Sequence, residues 1–221
     1  MMSKRYSVFQ WLLSFITPVI IHKDQSEVNS VLETTLENGK LVLNTAHANY
    51  SYGSLYRVFI KALLRFNLDI KNKKKVLVLG MGGGSVVKFL LENNTLAQLD
   101  TVEIDRKVIS IAKEMFGLSP TDRLRIYAVN AIDYINDCSE KYDLILIDIF
   151  IDDAVPEFCF AESFWKSLQN ICLPTCDIVF NASMKGNHLK HNLDFLGPIN
   201  LKEKLRIEQN LFFLLQPAVS K

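Results

Sequence analysis

Little in this chain is in excess, and its shortages narrow what it can be. An excess of charge of either sign is missing: 25 Lys and Arg face 24 Asp and Glu over 221 residues, so no overall field draws the protein to nucleic acid or to an anionic surface. The one basic run, residues 71–75 interrupted by Asn72, precedes an apolar segment and reads as a solvated linker. Cysteine is scarce. Cys138, Cys159, Cys172 and Cys176 show no CxxC spacing, and three of them fall in apolar stretches as buried free thiols do. That argues against a disulfide framework and for a reducing compartment, the cytoplasm. An apolar run of membrane length is also lacking. Residues 6–21 follow a basic MMSKR start, yet they carry Gln10 and Pro18, lack a small-residue cleavage site and fall short of the roughly 20 residues of a span. They read as a packing helix running into a strand. No repeat, low-complexity tract or long linker interrupts the chain, so one well-buried core with a small appended unit is expected. His188 and His191 lie three apart but lack an evident third ligand, and His22 and His47 are isolated, so no metal site is expected.

What is present is a change of period along the chain. Over residues 18–46 apolar and polar residues alternate, with a break at Glu37-Asn38-Gly39. Asn-Gly between two alternating runs is the strongest short-range hairpin signal, so a small antiparallel sheet is expected. A loop with Tyr50, Tyr52 and Tyr56 leads into residues 55–66, where Leu55, Val58, Phe59, Ala62, Leu63 and Phe66 recur at helical spacing. Strand-like runs at 76–79, 99–104, 124–129, 142–149 and 177–182 then alternate with helical segments at 84–92, 105–116, 131–135 and 161–172. This alternation predicts an α/β fold, a doubly wound and mostly parallel sheet. Residues 204–208 and 211–216 have no helix between them and read as a terminal antiparallel hairpin joined by Gln209-Asn210. The expected division is residues 1–54, an N-terminal helix and small antiparallel β domain, and residues 55–221, an α/β domain.

The chemistry collects after the first strands of that sheet. VLVLGMGGG ends an apolar run in Gly80, Gly82 and Gly84, where a missing Cβ lets the backbone approach a ligand and take up positive φ. A dinucleotide fingerprint wants GxGxxG; its third glycine falls on Ser85 counted from Gly80 and on Val87 counted from Gly82, which weakens a nicotinamide reading. Glu103 ends the next strand and is placed to accept two hydrogen bonds from the cis-diol of a ribose, while capping of the following helix falls to Asp105. After the third strand, Asn130 can pair with an adenine edge beside the small Ala131, and Asn130 is equally suited to cap a helix. Asp148 ends the fourth strand at the mouth of the crevice, where it can act as a general base, hold an amine, or cap a loop.

VLVLGMGGGSVVKFLLE, LDTVEIDRKVISIAKEMF, RLRIYAVNAIDYI, YDLILIDIF and VPEFCFAESFWKSL together resemble the spermidine synthase family. Its members are aminopropyltransferases with the class I S-adenosylmethionine-dependent methyltransferase fold. EVNSVLETTLENGKLVLNT resembles the family's small β domain. The resemblance implies that Gly80, Gly82, Gly83 and Gly84 hold the methionine-derived part of an adenosyl cofactor, Glu103 the ribose, and Asn130 with Ala131 the adenine. It also implies a homodimer and Asp148 in the catalytic position.

Two departures bear on the reaction. Members with polyamine chemistry carry GGGDGG, whose Asp faces the aminopropyl end of decarboxylated S-adenosylmethionine; here Gly83 holds that position. A carboxylate there would repel the carboxylate of ordinary S-adenosylmethionine, so Gly83 favours the ordinary cofactor. The family's DSxDP reads DIFIDDAVP, with Ile151 where the second acid belongs and Asp152 and Asp153 one and two residues late. Asp152 is the candidate to meet a cationic acceptor, and Asn49, Tyr50 and Tyr52 are candidates to line the pocket. The expected function is methyl transfer to a small-molecule acceptor, polyamines included. The alternatives are an aminopropyltransferase making spermidine from putrescine and decarboxylated S-adenosylmethionine, or an adenosyl-binding protein without turnover.

Overall fold

The computed structural model describes residues 5–46, 49–51, 54–151, 154–182 and 193–218. It opens with a six-residue helix, α1 (Val8–Leu13), set by a capping box: Ser7 Oγ accepts the Gln10 N–H while Gln10 Oε1 accepts the Ser7 N–H. A four-stranded antiparallel sheet follows, β1 (Val19–Asp24), β2 (Leu32–Glu37), β3 (Lys40–Asn44) and β4 (Asn49–Ser51), in that order. The expected hairpin joins β2 to β3. Glu37 pairs with Lys40, and Asn38 and Gly39 both take positive φ, 49° and 75°, as the tight hairpin turn demands.

Two expectations for this region are corrected. Tyr50 lies on β4, not in a loop; the strand exists because β3 offers an edge, and three residues carry no alternation to announce it. The helix does not pack as expected, since none of its residues is buried. It is pinned by its far end to the hairpin tip, where Ser14 O and Oγ accept the N–H groups of Asn38 and Gly39. Trp11 and Phe15 close over Gly39 so tightly that an added Cβ would stand 2.8 Å from Trp11 Nε1.

After α2 (Ser54–Arg65) the chain alternates as predicted: β5 (Lys75–Leu79), α3 (Ser85–Asn93), β6 (Gln98–Glu103), α4 (Arg106–Phe116), β7 (Leu124–Ala128), α5 (Ala131–Asp137), β8 (Tyr142–Ile147), α6 (Glu162–Asn170) and β9 (Cys172–Asn181). The strands β10 (Ile199–Ile207) and β11 (Asn210–Pro217) complete a seven-stranded sheet in the order β10-β11-β9-β8-β5-β6-β7. Strands β5 to β9 are mutually parallel, and β11 is antiparallel to both its neighbours. Central strands with helices on both faces must be apolar on both, and Leu144, Ile145, Leu146 and Ile147 are all fully buried. One face packs Trp165, Phe164 and Leu168 of α6 with Tyr134 and Ile135 of α5; the other packs Val58, Phe59 and Leu63 of α2 with Val87 and Leu90 of α3.

Strand β9 starts five residues earlier than the sequence suggested. Its first part is irregular: Tyr142 pairs with Cys172 but Leu144 with Asp177, and the intervening slack accommodates Pro174, which has no N–H for a ladder. The terminal turn is Glu208-Gln209, one residue before the expected pair, because Ile207 pairs with Asn210 and Glu208 takes a φ of 55°. Nor is the basic run merely solvated. Lys73 Nζ reaches Asp177 at 2.7 Å and the Asp143 carbonyl at 2.9 Å, and Lys75 pairs with Glu140.

The N-terminal sheet sits on α4. Leu32 and Leu43 pack with Val108 and Ile111, Asp24 pairs with Lys107 at 3.0 Å, and Arg5 donates to the Met115 carbonyl at 2.6 Å.

Candidate active site

Strand register assembles the site. Leu79 of β5 stands level with Val102 of β6 on one side and Ile147 of β8 on the other, and Ile147 is level with Phe180 of β9. Gly80, Glu103, Asp148 and Asn181 are the next residues along the chain, Glu103 and Asn181 closing β6 and β9, Gly80 and Asp148 just past β5 and β8. Parallel pairing therefore lines them up across the carboxyl edge, at the point where β5 has neighbours reached by opposite crossovers, which is where open α/β sheets bind ligands. Backbone bonds continue the register past the strands: Gly80 N–H donates to the Val102 carbonyl at 3.0 Å and Asp148 N–H to the Leu79 carbonyl at 2.9 Å.

The glycine turn is required on steric grounds. Gly80 has φ +88°, and a Cβ there would lie 2.3 Å from the Asp148 carbonyl oxygen. Gly84 has φ +85° and is the N-cap of α3, with a Cβ position 2.2 Å from Leu118 Cδ2. No side chain caps α3, whereas α4 and α5 are both capped by one. The first N–H groups of α3 thus have no side-chain acceptor at the N-cap, which gives this helix end the form that suits an anionic or polar ligand group. Gly83 is buried within the turn.

Glu103 is 4% exposed and its carboxylate ties two turns together: Oε2 accepts the Gly82 N–H and Oε1 the Asp105 N–H, each at 3.0 Å. Burial pushes its pKa above the usual carboxylate value, and the backbone donors of Asp105, Gly82 and Met81 pull it back. A carboxylate has about four acceptor positions, so acceptor capacity remains beyond these backbone donors. Asp105 caps α4 as expected, accepting from the Lys107 and Val108 N–H groups. Asn130 Oδ1 caps α5 through the Ile132 N–H at 2.9 Å, and the buried Ala131 opens that helix.

Asp148 accepts from Asn181 Nδ2 at 2.9 Å. Burial pushes its carboxyl up to about 6, and the amide of Asn181 lowers it. A carboxylate so placed takes up a proton more readily than an ordinary aspartate. Asp152, Asp153, Tyr52, His47, His188 and His191 lie outside the described residues, and Asn49 and Tyr50 are described only as part of β4. Among the described residues no group of His, Cys, Asp and Glu is disposed to hold a metal ion.

Two residues of this edge escaped the sequence reading. Asn181 is fully buried, and its signal was a polar residue closing the apolar run Ile178-Val179-Phe180. Ile104 is 48% exposed between the buried Glu103 and Asp105; its signal was its place directly after the strand-ending acid.

Residues 65–193 match the spermine/spermidine synthase domain. The polyamine aminopropyltransferase of Vibrio vulnificus (strain CMCP6) is 27% identical over 194 residues, 79% of this chain and 65% of that protein. The human eEF1A lysine and N-terminal methyltransferase is 28% identical over 130 residues, 53% of this chain and 19% of that protein. The chain thus spans less than two thirds of the length of these relatives. Among solved structures, spermidine synthase from Thermotoga maritima superimposes with a TM-score of 0.63 at 16% identity, covering 91% of this chain and 73% of that one. Human methyltransferase-like protein 13 in complex with SAH gives a TM-score of 0.60 at 25% identity, covering 74% and 78%.

Proposed function

The chain belongs to the spermine/spermidine synthase family, and from that premise we propose that it binds S-adenosylmethionine and transfers its methyl group to a small-molecule acceptor, which includes a polyamine. The observation that carries the choice is Gly83. The turn from Gly80 to Gly84 holds no carboxylate to attract the aminopropyl ammonium of decarboxylated S-adenosylmethionine or to repel the carboxylate of the ordinary form. Support for an adenosyl group comes from the spare acceptor positions of Glu103, the exposed flank of Ile104 and the absence of a side-chain cap on α3.

In this reading Gly80 to Gly84 cradle the methionine part, Glu103 takes the ribose, and Asn130 with Ala131 borders the adenine. The bound cofactor supplies a sulfonium methyl that moves in line to the acceptor while the electrons of the broken C–S bond return to sulfur. Positioning supplies much of such a displacement. Asp148 orients the acceptor and receives the proton it releases, with Asn181 fixing the carboxylate. Asp152, just beyond, is the proposed contact for a cationic acceptor.

We further read the chain as two units divided after residue 54, working without a metal in the cytoplasm, where its four free thiols stay reduced. No helix among the described residues is long and apolar enough to cross a membrane. The proposed partner is a second copy of the chain, docked through α1. Between residues 8 and 20, Val8, Phe9, Leu12, Phe15, Ile16 and Ile20 are all more than half exposed, Ile16 to 85%. A membrane-binding helix wants a cationic rim. Here the charges in the flanking sequence are mixed, Arg5, Lys23 and Lys40 with Glu27 and Glu37, which suits a self-complementary two-fold contact.

Thermal melts with each cofactor, followed by product analysis, test the reaction. Ordinary S-adenosylmethionine at 100 times its Kd is expected to stabilise the fold by about 2.7 kcal/mol, and methylated product is expected with a suitable acceptor. Stabilisation by the decarboxylated form alone, with spermidine and methylthioadenosine formed from putrescine, would establish the aminopropyltransferase instead. Binding without transfer to any acceptor would leave the non-catalytic reading.

A further inference from the structure

A chain of buried and partly buried hydrogen bonds runs from the turn between β1 and β2 into the glycine turn. The segment between β1 and β2 folds around Ser26, whose Oγ accepts the N–H groups of Val28 and Asn29 at 3.2 and 2.9 Å. From this turn two side chains reach Asp105: Ser26 Oγ donates to Oδ2 at 2.5 Å and Asn29 Nδ2 to the same oxygen at 2.7 Å. The other oxygen, Oδ1, caps α4. Asp105 is thus a buried carboxylate with four donors, and its backbone N–H in turn holds Glu103 Oε1, whose partner oxygen holds Gly82. Asn29, Glu103 and Asp105 are each buried, at 4%, 4% and 3% exposure.

Capping alone does not call for this arrangement. An Asp at the N-cap needs one or two backbone donors, and here its second oxygen is satisfied from a part of the chain nearly 80 residues away. Removing those donors leaves a buried charge short of partners beside a second buried carboxylate, and the proximity of Asp105 already raises the Glu103 pKa. The deficit falls on the backbone segment that carries both acids, since the Asp105 N–H is the donor to Glu103 Oε1.

We infer that Ser26 and Asn29 are positioning residues for the ribose acid, acting through Asp105 to hold the Glu103 carboxylate where it can accept a cis-diol. This rests on the adenosyl reading of Glu103. It makes the turn between β1 and β2 part of the cofactor site without Ser26 or Asn29 touching the ligand.

Calorimetric titration of the full chain with adenosine and with 2′,3′-dideoxyadenosine tests it. The wild type is expected to prefer adenosine, and Asn29→Ala to narrow that preference about tenfold, which corresponds to about 1.4 kcal/mol. Ser26→Ala is expected to act in the same direction and Ser26→Thr, which keeps the hydroxyl, to restore the preference. In an Asp105→Ser background, which retains a capping oxygen, Asn29→Ala is expected to have no further effect. A merely structural role would weaken both ligands equally and leave their ratio intact, which would overturn the inference. So would an Asn29→Ala effect that persists undiminished in the Asp105→Ser background. If the wild type does not distinguish the two nucleosides, the adenosyl reading of Glu103 itself fails. That outcome is separate from a wild type that distinguishes them while Asn29→Ala does so equally well.

Discussion

Replacing Asp148 by Asn removes a charge that its surroundings disfavour. In the unfolded chain the carboxyl titrates near its ordinary value of 3.8, and in the fold near 6. Between those values the folded protein keeps a proton that the unfolded chain has released, so the group costs stability as pH rises through the window, fully above about 6. Asp148→Asn is therefore expected to stabilise the fold by about 3 kcal/mol at pH 8 and by nothing at pH 3, while transfer falls on the order of 100-fold. Melting curves at the two pH values read the first effect and initial rates the second; an equal stability change at both pH values would contradict the assignment. Gly80→Ala is expected to cost about 1–3 kcal/mol in urea unfolding, since the methyl group meets backbone and not a yielding side chain. Gly80, Glu103 and Asp148 were legible because each closes an apolar run with a residue that no buried strand would choose. Asn181 closes an apolar run in the same way, but its partnership with Asp148 was not legible, because that depends on strand order and register.

At the scale of elements, β6, β8 and α5 share a polar connection inside an otherwise apolar layer. The fully buried Asp100 of β6 takes both arms of Arg125, at 2.6 and 2.7 Å, and the Tyr142 hydroxyl at 2.7 Å; Tyr142 in turn meets the Tyr134 hydroxyl of α5 at 2.6 Å. Tyr142→Phe deprives a buried carboxylate of one donor, so a loss of about 1–3 kcal/mol is expected in denaturant titration, with the slope unchanged. Loss of less than about 0.3 kcal/mol would mean that Arg125 alone satisfies Asp100. The strands and helices themselves were readable from their periods. Their joints were not: Asp100 and Tyr142 look like ordinary strand residues, and β4 and the early start of β9 arise from edges and slack supplied by distant segments.

For the whole molecule, alternation of strand and helix and a final hairpin were enough to foresee a doubly wound sheet ending antiparallel. The placement of α1 was not foreseen, because its apolar residues promised burial that the described fold does not provide. If a second copy provides it, light scattering on the purified chain is expected to give twice the monomer mass, and Phe9→Asp combined with Ile16→Asp to halve it without loss of secondary structure. A monomeric wild type at micromolar concentration would remove this surface from consideration.

The line from Asn29 to Gly82 also bears on how the protein opens. Amide protons of Gly82 and Asp105 are held by Glu103, and Glu103 is held in part by Asp105, which depends on the N-terminal sheet. Partial detachment of that sheet would expose these two amides to exchange while Leu144 to Ile147 of β8 remain protected. In a warming solution, the affinity for a nucleoside would then fade before the circular dichroism of the central sheet begins to change.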